Sequence, residues 1–379
     1  MSSRLRWKAF CCWLGVPRIR KMALAVALSG VVAFALINGS VAISSDNDRV
    51  SAQARLVAIR RAQVWVPADV RSMDLKAGPQ GPSALPPGQT VTCDYVEKKM
   101  SGRSPKFTCA LTPGDEVKVK YGRTNGEVYG EVAATRLMWA LGFGADRMYP
   151  VRVVCRGCPS NPDAYLKDRQ EQVIFDPAAI EREREGLKLE THEDSGWSWA
   201  ELDLVEETVG GAPQSHRDAL KLLAVMLQHT DSKPAQQRLM CAPGEGIAED
   251  GEPCLHTFMM ISDLGLTFGQ ANLLNRGPVG SVNLEQWSRA PVWADRKRCI
   301  GNVSQSQTGT LNRPRISEPG RKFLADLLVQ LSDAQLHDLF EGARFAERTG
   351  PSVRPAAIEE WVYVFKRKRE EIVNHSCVA

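Results

Sequence analysis

Nowhere in this chain does a Gly-x-Ser-x-Gly string occur, which removes the strand-to-helix elbow that presents the nucleophile of an α/β-hydrolase. No internal repeat is visible, so solenoid and propeller architectures are excluded. Low complexity is confined to residues 71–89, where Pro79, Pro82, Pro86 and Pro87 with three glycines bar a regular element. A surplus of positive charge is also missing. The first 21 residues hold six of the 48 Lys and Arg and no acid, leaving 42 basic against 44 acidic side chains. That balance gives no polyanion footprint, and nucleic acid is not an expected partner. After Cys155-Arg156-Gly157-Cys158 no second close cysteine pair follows, so a four-cysteine zinc site lacks its other half. A local disulfide, a redox pair or buried thiols stay open there.

What is present at the amino terminus bears on compartment. Residues 22–45 run uncharged behind the six basic residues. Their apolar centre, Met22 to Ile37, falls short of the ~20 residues that a spanning helix needs. Ser40-Val41-Ala42 offers small residues at the two positions a signal peptidase reads. Residues 1–42 therefore read as an export signal or membrane anchor, with membrane contact through residues 22–43 and the rest of the chain exported or membrane-anchored outside the cytosol. Eight of the ten cysteines lie in that remainder, enough for up to four bridges of open connectivity. Cys93 with Cys109 and Cys241 with Cys254 each bracket a turn-rich segment that needs fixing.

Residues 43–89 read as a helix, Asp48 to Val66, followed by the Pro/Gly-rich linker. Three strands are expected next, Thr90 to Val96, Lys106 to Leu111 and Glu116 to Tyr121, the first two joined by the turn KKMSGRSP. A helix from Glu127 to Leu141 and a strand from Met148 to Val154 complete a β-rich segment, residues 90–158. Residues 159–379 read as mainly helical with irregular insertions. There Val173 to Phe175 could be a short strand, Trp197-Ser198-Trp199 a packed corner, and residues 275–319 a long irregular region. Ser317 and Ser332-Asp333 open two helices. The last helix spans Ala356 to Val373, its Lys366-Arg367-Lys368-Arg369 run reading as surface that faces acidic lipid headgroups.

The chemistry-bearing stretch runs from His216 to Gln270. A helix with Leu220, Leu223, Ala224 and Leu227 on its inward face leads into His229-Thr230-Asp231-Ser232-Lys233-Pro234-Ala235-Gln236. A strand, Phe258 to Ile261, ends in Ser262-Asp263-Leu264-Gly265, where the glycine is expected to permit a sharp turn. Two carboxylates thus sit at the mouths of two buried elements. Phosphoryl transfer needs one carboxylate to orient a hydroxyl and another to hold magnesium on the phosphate oxygens. A histidine general base at His229 is the rival reading, although its spacing to Asp231 is too short for a Ser-His-Asp triad. A metal pair held by Asp231 and Asp263 would instead make a metal-dependent hydrolase.

On these residues the chain resembles the protein-kinase-like superfamily. His229 to Gln236 resembles the catalytic loop His-Arg-Asp-x-x-x-x-Asn, with Asp231 at the catalytic Asp, Gln236 at the metal-binding Asn and Thr230 in place of the Arg. Asp263-Leu264-Gly265 is similar to the Asp-Phe-Gly metal motif. The segment looks closer to the atypical branch that includes HipA-type toxins, secretory-pathway kinases and phosphoinositide kinases. The resemblance implies an α+β, two-lobed kinase-like fold, with a small β-rich amino-terminal lobe and a mainly helical carboxyl-terminal lobe. It implies ATP with Mg2+ or Mn2+ as cofactors, Asp263 and Gln236 as metal ligands, and transfer to a hydroxyl of a protein, sugar or lipid head group. A nucleotide-binding module with weak or no catalysis is the alternative, favoured by Gln236 and by a first turn without the Gly-x-Gly-x-x-Gly string. VKVKYG followed by GEVAATRLMWALGF resembles the family's pairing of a strand lysine with a helix glutamate, here Lys120 with Glu131, Lys118 being the reserve. Gly102 would offer backbone N–H to phosphate, Lys233 would stabilise the transferred phosphoryl group, and the His229 ring would buttress the loop through backbone hydrogen bonds.

Overall fold

The structure, a computed structural model, describes residues 49–81, 83–248, 251–269, 279–303 and 309–377. The chain divides into Met1–Ile43 and Ser44–Ala379, and the described residues all lie in the second unit. After α1 (Ala52–Arg60), capped by Ser51, five strands close a barrel. They are β1 (Thr90–Val96), β2 (Lys106–Thr112), β3 (Asp115–Tyr121), β4 (Arg147–Arg156) and β5 (Gln172–Arg182), in the order β1-β2-β3-β5-β4. Side chains alternate along a strand, so Val91, Cys93, Phe107, Cys109, Val117 and Val119 fill the interior. Disulfides join Cys93 to Cys109 across β1 and β2, and Cys155 to Cys158 at the end of β4.

The expected short strand at Val173 is in fact β5, which pairs with both β3 and β4. Its residues 177–181 are buried without a break, because a strand covered on both faces loses the alternation by which a half-exposed one is recognised. Between β3 and β4 runs α2 (Glu127–Ala140), buried on all sides except at Trp139. A helix so enclosed belongs to a core, and its charged residues need partners inside the protein.

The second lobe is mainly helical. Its elements are α3 (Gln214–Leu227), the hairpin β6 (Gln237–Cys241) and β7 (Thr257–Ile261), α4 (Leu284–Arg289), the short pair β8 (Trp293–Asp295) and β9 (Ile300–Gly301), α5 (Glu318–Leu328), α6 (Asp333–Gly342) and α7 (Ile358–Val373). Ser317 and Ser332 cap α5 and α6 as their sequence positions require. Phe268, Trp287, Phe340, Phe345 and Trp361 interlock beneath these helices. Burying each such side chain contributes roughly 1.5–3 kcal/mol. Disulfides Cys241–Cys254 and Cys299–Cys377 pin the β6–β7 connection and the chain end. The molecule is thus an α+β, two-lobed kinase-like fold.

Three expectations are corrected. No helix among the described residues is long and apolar enough to cross a membrane, which counts against the expected membrane-anchored placement. Residues 22–43, on which it rested, lie outside the described residues. The Lys366–Arg369 run does not form a free basic surface. Lys366 pairs with Asp333, Arg369 donates to the Leu331 carbonyl, and Lys368 is buried over the Trp287 ring. The region 275–319 is not wholly irregular, since α4, β8 and β9 lie in it. Short elements of this kind carry too few residues to show a period.

Candidate functional site

Lys120 is the centre of the site. It leaves the end of β3 and is buried, and its Nζ lies 2.6 Å from Glu131, 2.9 Å from Glu127 and 3.7 Å from Asp263. Glu127 and Glu131 are one helical turn apart on α2, so both carboxylates fall on the same face. The Asn125 side chain accepts a hydrogen bond from the Glu127 N–H and donates to the Tyr121 carbonyl, which fixes the start of α2 against the end of β3. Lys118 instead reaches Glu181 on β5 at 2.6 Å, so the structure brings Lys120, not the reserve lysine, to Glu131.

Asp263 arrives from the other lobe. The β6–β7 pairing sets Gln237 opposite Ile261, and just past it the Gln236 carbonyl accepts from the Ser262 and Asp263 N–H groups at 2.8 and 3.2 Å. Thr230 N donates to the Leu266 carbonyl at 3.2 Å. The two motif segments are therefore bonded backbone to backbone. Gly265 serves close approach and not the expected turn: a Cβ there would lie 2.5 Å from the Glu127 side chain. Gly130 on α2 is matched to it, since a Cβ would meet the Gly265 carbonyl at 3.3 Å and Val282 at 2.9 Å.

Asp231 lies beside Lys233 at 3.2 Å and accepts from the Gln236 amide at 2.8 Å. Among the described residues, Gln236 Oε1 accepts no hydrogen bond. Gly102 occupies the β1–β2 turn with φ +94°, and a Cβ there would stand 2.7 Å from Lys106 Nζ. Lys106 and Glu127 are the two residues that sequence reasoning missed. Lys106 sits directly opposite Lys120 in the β2–β3 register, and among the described residues its Nζ bonds only Ser104 Oγ, at 3.3 Å. The expected strand boundaries alone would set Lys106 opposite Tyr121; a register shift between Ala110 and Thr112 brings it opposite Lys120. For Glu127 the signal was its spacing of four from Glu131.

The electrostatics follow from burial and crowding. Burial alone would lower the Lys120 pKa, but Asp263, Glu127 and Glu131 outweigh it and hold the ammonium charged, well above the ordinary lysine value. Burial pushes the Glu131 carboxyl well above its usual range against the pull of Lys120. Burial also opposes ionisation of Asp263, yet Lys120 and the Gly265 N–H keep it below the usual carboxylate range. Lys106 is lowered, first by burial and then by Lys120.

Glu127, Glu131 and Asp263 place carboxylate oxygens within 4.8 Å of one another, as a metal site would. The Lys120 ammonium already occupies the space between these carboxylates, so a divalent cation fits better on the outer side of Asp263, whose side chain is 29% exposed. Carboxylate and amide oxygens such as those of Asp263 and Gln236 are the hard donors magnesium takes. Asp231 is not part of the three-carboxylate group and is occupied by Lys233 and Gln236, which favours separate roles over a hydrolase metal pair. Gln270, the end of the chemistry-bearing stretch, lies outside the described residues.

His229 departs from expectation. Its ring is fully buried and, among the described residues, neither nitrogen finds a hydrogen-bond partner; it packs 6.2 Å from the Trp199 ring. Burial pushes its pKa down to about 4, so it neither buttresses the loop by ring hydrogen bonds nor suits a general base at neutral pH. A histidine depressed on folding contributes stability that is complete above its unfolded pKa of about 6.5 and lost as pH falls towards about 4, roughly 3 kcal/mol in all. His229→Phe is expected to remove that slope. Urea unfolding at stepped pH checks it, and an unchanged acid slope in the variant would assign the loss elsewhere.

No family model matches this sequence, and no curated protein matches it. Among solved structures, the chain is similar to the Helicobacter pylori proinflammatory kinase CtkA at 11% identity and a TM-score of 0.41, over 76% of this chain and 96% of that one. That likeness is too distant to inform the reading of the site.

Proposed function

We propose that this chain is a kinase-like domain that binds ATP with Mg2+ or Mn2+ in the cleft between its lobes. The observation that carries the reading is the buried Lys120 ammonium, held by two α2 carboxylates and facing Asp263 across the lobe seam. A fixed cation opposite a metal-binding carboxylate suits a triphosphate, whose oxygens need both. Asp263 and Gln236 would hold the metal, which when bound supplies charge neutralisation of the phosphates. Lys120 and Lys106 would take phosphate oxygens, with the Gly102 turn closing above them.

Calorimetry with a non-hydrolysable ATP analogue, with and without Mg2+, tests the reading. Binding that requires Mg2+ supports it, and no binding in either condition counts against it. Lys106→Ala is expected to weaken affinity about tenfold, the loss of one charge-assisted contact. It should leave folding intact, since Lys106 pairs with no carboxylate among the described residues; unchanged affinity would remove Lys106 from the phosphate site.

Phosphoryl transfer is the second reading, favoured by one observation. Asp231 is held between Lys233 and Gln236 directly beside the Asp263 segment. Asp231 would orient an acceptor hydroxyl and Lys233 would balance charge on the moving phosphoryl group. The acceptor would be a hydroxyl on a protein, sugar or lipid head group.

A further inference from the structure

We propose that a second pocket, on the helical lobe beside Asp231, docks an acidic polypeptide. The cavity measures about 770 Å3 and is walled by the Trp199 segment, the first half of α3, residues 297–299 and residues 310–319, a size within the range of ligand-sized pockets. One wall is fastened to the Asp231 loop. Thr310 donates from both N and Oγ1 to the Ser232 carbonyl at 3.0 Å, and its Oγ1 accepts from the Trp199 N–H. Leu311 N donates to Ser232 Oγ at 3.0 Å. Ser232 is fully buried and adjoins Asp231, so whatever fills the pocket is set against the Asp231 end of the cleft.

The charge of this pocket is one-sided. Its three acids are already engaged: Asp203 and Asp218 by Lys221 at 2.7 and 3.8 Å, and Glu318 by Arg321 at 2.6 Å. Lys297, Arg313 and Arg315 are exposed and form no ion pair among the described residues, while Arg298 approaches only Asp295, at 3.8 Å. A chain otherwise balanced in charge therefore concentrates uncompensated cations on one opening, the arrangement that steers an anionic partner.

The cations come from two separate segments, Lys297 and Arg298 in one and Arg313 and Arg315 in the other. One compact anion would leave most of the cavity of about 770 Å3 unfilled. A polypeptide carrying several carboxylates meets both segments along its length. The Cys299–Cys377 disulfide fixes the far side, so the pocket is preformed and little ordering opposes docking.

Docking needs no nucleotide, so its success or failure is separable from that of the nucleotide site. Fluorescence anisotropy of the full chain would use a fluorescein-labelled, glutamate-rich serine peptide and its lysine-rich counterpart. The glutamate-rich peptide is expected to bind, salt-sensitively, and Arg313→Glu/Arg315→Glu to weaken it at least about tenfold. The lysine-rich peptide should gain binding to that variant, while ATP-analogue affinity stays unchanged as the check on folding. Lys297→Glu serves as a second, single exposed variant with the same expected direction. Equal binding of the two peptides by the wild type, or no loss in either variant, overturns the proposal. Binding of phosphatidylserine vesicles that the double variant loses, with neither peptide bound, also overturns it and assigns the cations to a lipid surface.

Discussion

Lys120→Met is expected to abolish measurable nucleotide binding and to lower stability by about 3–5 kcal/mol, the range for leaving a buried charge without its partner. The same ammonium pairs with Glu127 and Glu131 and faces Asp263, so its removal leaves three crowded carboxylates without the cation they share. Glu131 can relieve part of the loss by taking a proton, which burial already favours. Its folded pKa stands above the unfolded value of about 4.3, so the stability it contributes in the variant is complete in acid and lost as pH rises. The deficit should therefore widen from acid to neutral pH, the opposite slope to that expected from His229. Lys120→Met/Glu131→Gln, which replaces the charge by a neutral isostere, should recover much of the stability and none of the nucleotide binding. Chemical denaturation and calorimetry on both variants separate the two effects. A double variant that binds nucleotide normally would leave Lys120 a structural residue only.

Much of this site was legible because its parts obey local periods. The alternation of β3 put Lys118 and Lys120 on one face, the spacing of α2 put Glu131 beside them, and the apolar stripe of α3 delivered His229 to Gln236 as a loop. The choice between the two lysines was not legible, because it depends on Glu181, sixty residues on in a strand whose double-sided burial hid it. Lys106 was hidden for a similar reason. It becomes part of the site only through its register opposite Lys120, and register is a property of the folded sheet. Gly265 shows the reverse error: a glycine after a strand suggests a turn, whereas its small size is required by Glu127, a neighbour supplied by the other lobe. Sequence windows report which face a residue occupies more readily than which partner it meets there.

Asp263→Asn and Asp231→Asn are expected to fail in different ways, and the contrast decides between a nucleotide-binding module and an enzyme. Asp263 is ionised, partly exposed and beside Lys120, so its amide variant should lose metal-dependent nucleotide affinity by roughly a hundredfold, in line with removing a charged ligand from a metal site. Raising Mg2+ should restore part of that loss by mass action. Gln236→Ala should show a weaker version, because an amide oxygen ligates without a full charge. Asp231 touches Lys233 and Gln236 and lies outside the carboxylate group around Lys120; its amide variant keeps an acceptor oxygen for Gln236 and should leave nucleotide affinity nearly unchanged. If the domain transfers phosphate, Asp231→Asn should then lower turnover by about 100- to 10,000-fold, the usual contribution of a positioned general base. If it only binds nucleotide, wild type and Asp231→Asn should bind alike and neither should produce ADP with any acceptor. ADP production that persists unchanged in both variants would mean that neither carboxylate carries the reaction, and the reading of both motifs would fall together.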